Sequence, residues 1–384
     1  MANDAFKTGL VPIARGETVS EYNERWSDWR EDEGLPVAGE SRRGIRYHFC
    51  GGYKHGHLPI QVVEKLVLER FVRYLDDLVG DDEISWKTAA NNWSHVSALF
   101  RDATHAKNPA LRILSVNPAQ GVAPPDKGIA IQKQFLYPNE FLQLVSCPDV
   151  PLERAELYSF SVYEIPRAGE LVPLAWPDID LIHGIVNFYK AIDRVRNPTV
   201  IKGPKNNITR RMPIERNVLP MLEAMKKRAE GRRTVFDWAV LPRADGEYGL
   251  SAVLKRDLLA AGVRRQELHV KTPHSRPIRF HDLRATGITW EAIRGDDPAK
   301  IHARAGHENY QTTLIYTRLA ETLGQGDFGR VFPELPKRLT GREVNAMAQV
   351  PVNCPAIVQT SVKYPVFSGK FVGATGFEPV TSSV

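Results

Sequence analysis

The sequence predicts two domains: an all-helical N-terminal domain, then a mainly α domain that also carries a small β-sheet (α+β). Three observations predict this. Apolar residues recur at helical spacing from residue 17 to about residue 105. The stretch NPAQGVAPPDKG (117–128) has three prolines, two glycines and no periodicity, and reads as a linker. Beyond it, the strand-like runs GIVNFYKAIDRV and ITRRMPI interrupt an otherwise helical pattern.

Taken in order, ETVSEYNERWSDWRE (17–31) places Val19, Tyr22, Trp26 and Trp29 on one helical face, with Thr18 or Ser20 as N-cap. The basic, glycine-rich SRRGIRYHFCGGYKHGHLPI reads as a connection. Apolar residues at 63, 66, 67, 71, 74, 75 and 78 describe a helix over 61–79, which the acidic turn GDDE ends. A helix from about Trp86 to His105 presents Trp93, Val96, Leu99 and Phe100. Aromatic stripes of this kind are core rather than binding surface. After the linker, YPNEFLQLVS opens a helix with Asn139 as its cap, and helices dominate again from about Leu250. Beyond Pro336 the chain is poor in charge and rich in Val, Pro, Ser and Thr. The predicted divisions are a short arm (1–16), a helical domain (17–117), a linker (118–133), the α+β domain (134–335) and a tail (336–384) with no assigned role.

The 384 residues suffice for two cores, and 42% hydrophobic and 25% charged residues are ordinary for a globular protein. No apolar run is long enough to span a bilayer, and MANDAFKTGLVPIARGE lacks the apolar stretch of a signal peptide. The expected location is therefore intracellular. Cys50, Cys147 and Cys354 are too far apart for a metal-binding spacing and are expected to be reduced thiols. The net charge of +6 is unevenly placed: residues 17–133 carry 15 Lys/Arg against 17 Asp/Glu, and residues 134–340 carry 31 against 25. Within 190–233 the balance is 13 to 4, which suits either a polyanion or a solvated charged face.

Four segments hold polar residues able to do chemistry. YEIPRAGELVPLAWPDID sets Arg167 three residues before Glu170, which alone reads as a surface pair. VIKGPKNNITRRMPI is a basic loop between strands with Lys202 and Lys205, which alone reads as a solvated hairpin. RFHDLRATG puts His281 and Arg284 one helical turn apart, aimed at one anion. AGHENYQTTLIYTR holds His307 and two tyrosines, Tyr310 and Tyr316.

Arg-x-x-Glu, a lysine hairpin, His-x-x-Arg, Gly-His and a tyrosine nine residues beyond that histidine, in this order, resemble the tyrosine recombinase (phage integrase) family. The resemblance covers about 134–330, and HDLR…GH…TT-x-x-Y is its most specific part. More loosely, TVSEYNERW, HLPIQVVEKLVLERFVRYLDD and LSVNPAQGV resemble the family's helical (SAM-like) core-binding domain. The sequence departs from the family pattern at Pro166, at Ala285, where the family often has a second histidine, and at Ala305, none of which removes a catalytic group.

The resemblance implies a site-specific DNA recombinase, an integrase that closes as a two-domain clamp on DNA and integrates or excises a mobile element. By it, Tyr316 attacks the scissile phosphate to give a 3′-phosphotyrosine and a free 5′-hydroxyl. Arg167 and Arg284 clamp the phosphate with planar donor forks, His307 donates a further hydrogen bond, His281 handles the tyrosine proton and Glu170 supports. The hairpin lysine protonates the leaving oxygen; the family spacing of about eight residues before a strand-ending proline favours Lys205, with Pro213, over Lys202. No cofactor and no metal is implied, since the phosphotyrosine keeps the energy of the broken bond. The implied partners are double-stranded DNA, a homo-tetramer on two DNA sites with the segment from about Ala320 to Pro333 docked on a neighbour, and accessory directionality or DNA-bending proteins. The implied setting is the cytoplasm and nucleoid of a bacterium. Two other readings use the same residues: a type IB topoisomerase-like enzyme that nicks and reseals, and a non-catalytic DNA-binding protein.

Overall fold

The computed structural model describes residues 16–341 apart from 36, 37, 130, 132, 194–196, 204–208, 242–248, 273 and 324–327. The chain divides into two compact units, one up to Gln132 that also takes in Thr272–Ser275, and one comprising the rest. Lys133 is the first residue of the second unit.

Thr18 starts the first unit. Its hydroxyl accepts from the amide of Glu21 (3.2 Å), and the Glu21 carboxylate accepts from the amide of Thr18 (2.8 Å), a reciprocal cap for α1 (Val19–Asp32). Val19, Tyr22 and Trp26 turn inward, as their spacing predicts. Next come α2 (Ala38–Gly44) and a π-helical run, Ile45–Gly52, where the sequence predicted only a glycine-rich connection. Ile45 and Phe49, four residues apart, are both buried, and this tertiary burial outweighs the local looseness of Gly44, Gly51 and Gly52. Leu68, Phe71 and Leu75 of α3 (Lys65–Gly80) and Val96, Leu99 and Phe100 of α4 (Trp86–His105) complete one core. Trp26 donates to the Asp102 carboxylate (2.9 Å) and the Tyr22 hydroxyl to the Leu111 carbonyl (2.9 Å), so these buried aromatics leave no polar tip unsatisfied.

The second unit opens with α5 (Pro138–Ser146). It begins before the predicted cap, because Pro138 occupies the first helical position and the Glu140 carboxylate accepts from the Tyr137 amide (2.9 Å). Helix α6 (Leu152–Tyr163), buried from Ala155 onward, and the single turn α7 (Ala168–Leu171) follow. Among the described residues, five short strands come next: β1 (Ile179–Asp180), β2 (Ile185–Phe188), β3 (Ala191–Asp193), β4 (Asn197–Lys202) and β5 (Arg210–Pro213). β1, β2 and β5 form an antiparallel sheet in that order, with Val186 opposite Met212 and Phe188 opposite Arg210. β3 and β4 form a separate hairpin. GIVNFYKAIDRV is thus two strands in two sheets, and Val200–Lys202 are strand rather than loop.

Helices α8 (Leu219–Arg228), α9 (Leu250–Ala260), α10 (His281–Arg294), α11 (Pro298–Ala305), α12 (Tyr310–Leu323) and α13 (Lys337–Thr340) complete the unit. A Cβ on Gly287 of α10 would lie 2.0 Å from the Val162 carbonyl oxygen of α6, so glycine is what allows these two helices to meet. Within the segment expected on a neighbour (about Ala320 to Pro333), Phe328 and Phe332 are buried in this chain's own core. Cys50 and Cys147 are free thiols. Residues 1–15 of the predicted arm, the predicted tail from 342 with Cys354, and Lys205 lie outside the described residues. Among the described residues, no helix is long and apolar enough to cross a membrane.

Candidate active site

The end of α11 organises the site. Asp297 caps this helix, accepting from the amide of Ala299 (2.7 Å), and Gly306 ends it at φ 60°, in the left-handed region. A terminating helix leaves carbonyls without intrahelical partners. Here guanidinium groups take them. Arg284 donates to the Ala305 carbonyl, Arg210 donates to the same oxygen (2.6 Å), and Arg167 donates to the Gly306 carbonyl. Gly306 is needed twice over, since a Cβ there would also come within 2.7 Å of the Arg210 Cδ.

Arg284 is 4% exposed, and its other terminal nitrogen donates to the Ile165 carbonyl. Ile165 sits at φ 43°, costly for a β-branched residue, and that turn leads the chain through Pro166 into Arg167. Glu170, 2% exposed, joins two of the cations: Oε1 accepts from Arg167 Nη1 (3.1 Å), and Oε2 accepts from the Arg167 amide (2.7 Å) and from Arg210. Three guanidinium groups therefore face one carboxylate. That imbalance, with burial, pulls the Arg284 pKa down to about 9; burial is the larger cause, followed by the charges of Arg210 and Arg167.

His281 opens α10, where the Asp282 carboxylate accepts from the Arg279 amide (2.7 Å) and fixes the entering turn. His307 follows Gly306. Its Nδ1 shares a hydrogen bond with the Thr313 hydroxyl (2.9 Å), and its ring lies nearly parallel to that of Tyr316, 13° apart with centroids at 6.1 Å. Tyr316, on α12, is 4% exposed, and its hydroxyl accepts from Lys133 Nζ (2.8 Å). Tyr310 is 43% exposed and rests against His302 instead. Both site histidines are held neutral. Desolvation, then the charges of Arg284, Lys133 and Arg167 among others, depress His281 to about 4 and His307 to about 3, although His281 is solvent-exposed, which weakens the desolvation there.

Arg304 supports this cluster from behind. It donates to the Pro213 carbonyl (2.6 Å) and the Tyr163 carbonyl (2.8 Å), and pairs with Glu291 (2.6 Å) and Glu164 (3.2 Å). These contacts join α11, β5, α6 and α10. Burial raises Glu164 to about 7 and Glu291 to about 8, against the counter-pull of Arg304.

The model of the phage integrase family matches residues 134–322, the stretch that holds every group just described except Lys133. Residues 134–322, just under half of the chain, belong to the phage integrase family. Among curated relatives, the ICEBs1 integrase of Bacillus subtilis (strain 168) is 26% identical over 245 residues, which span 62% of each chain. The prophage integrase IntR of Escherichia coli (strain K12) is 30% identical over 187 residues, 42% of this chain and 41% of that one. The chain thus spans less than two thirds of the length of these relatives. Among solved structures, the fold is similar to the Tn1549 transposon integrase in complex with transposon right end DNA, with TM-score 0.60, 18% identity, and coverage of 79% of this chain and 98% of that one. It is also similar to a lambda integrase tetramer bound to a Holliday junction, with TM-score 0.55, 16% identity and 87% of each chain covered.

In this phage integrase domain, the structure gathers Arg167, Glu170, Arg284 and His307 around one helix end. It sets Tyr316 parallel to His307, and His281 at the head of the helix that carries Arg284. Three residues went unassigned in the sequence. Arg210 was one basic residue among many in the hairpin. Thr313 was visible only as the second threonine of TT-x-x-Y. Lys133 gave no local signal, because it lies 183 residues from its partner.

Proposed function

We propose that the chain is a site-specific DNA recombinase that cuts and rejoins strands through a 3′-phosphotyrosine on Tyr316. The observation that carries this reading is the convergence of Arg167, Arg210 and Arg284 on the end of α11, beside a tyrosine aligned with His307. Arg167 and Arg284 hold the non-bridging oxygens of the scissile phosphate, where preorganised donors each contribute a few kcal/mol to the transition state. Tyr316 Oη attacks phosphorus and the bond to the 5′-oxygen breaks. Neutral His281 receives the phenolic proton, directly or through water, which its depressed pKa permits at neutral pH. His307, oriented by Thr313, donates to a phosphate oxygen. Lys205, outside the described residues, gives the leaving oxygen its proton, with Lys202 as the other candidate. Glu170 keeps the guanidinium groups in place.

In this reading the substrate is double-stranded DNA, gripped by the helical unit and the catalytic unit. Four copies act on two sites in the cytoplasm, with accessory directionality or DNA-bending proteins, to integrate or excise a mobile element. The test is a nicked duplex spanning the ends of the element that carries the gene. A detergent-stable protein–DNA complex should form, and peptide mass should place the adduct on Tyr316. Tyr316→Phe should form none while still binding the duplex. Relaxed topoisomers without two-site junction products would replace the recombinase by a nicking and resealing enzyme. A Tyr316→Phe protein with every activity intact would leave only a DNA-binding role.

A further inference from the structure

We infer that Lys133 is a further catalytic residue, whose ammonium holds the attacking oxygen of Tyr316 and stabilises the phenolate as it forms. This rests on the reading of Tyr316 as nucleophile. Lys133 Nζ donates to Tyr316 Oη at 2.8 Å and lies 4.7 Å from the ring centroid, so it engages both the oxygen and the ring face. The lysine is not a chance neighbour. Its backbone is fixed three residues on, where the Leu136 amide donates to the Thr286 hydroxyl (3.1 Å) and the Leu136 carbonyl accepts from Trp290 Nε1 (3.0 Å). Both partners are on α10, which carries His281 and Arg284. The segment leading from Lys133 is therefore strapped to the helix that builds the phosphate pocket. Gln134 and Leu136 are buried, and the Phe135 carbonyl accepts from Arg265, which also pairs with Glu140 (2.7 Å).

The chemistry asks for such a group. Tyr316 is buried, so little water is available to solvate a phenolate, and a cation at hydrogen-bond distance replaces that solvation. In the step, the phenolic proton leaves to His281 or water, the Oη–P bond forms and the P–O5′ bond breaks. Lys133 keeps all three of its protons and only strengthens its hydrogen bond as charge gathers on Oη. It thereby differs from a lysine that protonates the leaving oxygen.

The experiment compares full-length Lys133→Met, Lys133→Arg, Lys205→Ala and Tyr316→Phe on a nicked duplex and on the same duplex with a 5′-bridging sulfur, whose leaving thiolate needs no proton. Lys133→Met should bind DNA like the parent but form the covalent complex about 100-fold more slowly at pH 7, with the loss shrinking as pH rises. Lys133→Arg should recover at least tenfold. The sulfur substrate should rescue Lys205→Ala and leave Lys133→Met slow. Rescue of Lys133→Met by sulfur would make it the leaving-group acid and overturn the proposal. Parental rates in Lys133→Met would overturn it as well, as would a loss that is independent of pH. Covalent complex in Tyr316→Phe would instead overturn the reading beneath it.

Discussion

Glu170→Gln tests how the three guanidinium groups are held together. The glutamate accepts from the Arg167 side chain (3.1 Å), from the Arg167 amide (2.7 Å) and from Arg210, and both Glu170 and Arg210 have side chains almost without solvent. Glutamine keeps the shape but removes the carboxylate that, among the described residues, pairs with Arg167 and Arg210. Its amide NH₂ must also face a donor. Breaking a buried ion pair by deleting one charge costs about 3–5 kcal/mol, and the glutamine carbonyl retains part of the hydrogen bonding, which puts the expected loss near 3 kcal/mol. A domain of this size loses about 2–4 °C of Tm per kcal/mol, so the catalytic unit should melt roughly 6–12 °C lower in calorimetry at low salt. The surplus positive charge also makes a signature. Sulfate should raise the Tm of Glu170→Gln by more than it raises that of the parent, because the anion supplies the missing negative charge. A variant that melts with the parent, or that gains no more from sulfate, would refute the idea that Glu170 offsets the repulsion of the pocket.

Two other outcomes follow from the geometry. Gly287→Ala puts a methyl 2.0 Å from the Val162 carbonyl oxygen and 2.4 Å from the Ile165 Cγ2, so α10 must shift off α6 at a cost of about 2–3 kcal/mol, read as a lower urea midpoint. With folded-state values near 4 and 3, below an unfolded value of about 6.5, His281 and His307 contribute stability that is complete above about pH 7 and is lost as pH falls toward 4. Glu164 and Glu291, raised to about 7 and 8, act in the opposite sense, and their contribution fades as pH rises through those values. In the DNA-free protein, the Cε1 proton resonance of His307 should therefore stay flat from pH 5.5 to 8; a midpoint near 6.5 would contradict its desolvation and the cationic charges around it.

What could be read from the sequence was local. Thr18 and Glu21 cap a helix within four residues, and His281 and Arg284 share a face because one helix carries both. Pro138 displaced the predicted cap for an equally local reason that was missed. The π-helical run at Ile45–Gly52 was not legible, because the packing of Phe49 that helps sustain it comes from Phe71 of α3 and Phe100 of α4. The hairpin misled because β2 pairs across the fold with β5, leaving β3 and β4 to each other. The site divides the same way. Arg167, Glu170, His307 and Tyr316 stand out by interval, whereas Arg210 and Lys133 acquire meaning only once distant segments meet. Arg210 needs Gly306 against it, and Lys133 needs α10 beneath it.

The carbonyls of Ala305 and Gly306 have a practical consequence for anyone dissecting this pocket. They receive three guanidinium groups, yet they belong to the main chain, so every side-chain substitution leaves them in place. An alanine scan would credit the arginines and overlook their anchors. Replacing the amide bonds after Ala305 and Gly306 by esters, through chemical ligation, would weaken the acceptors themselves and give the backbone's share in holding the three guanidinium groups a measurable value.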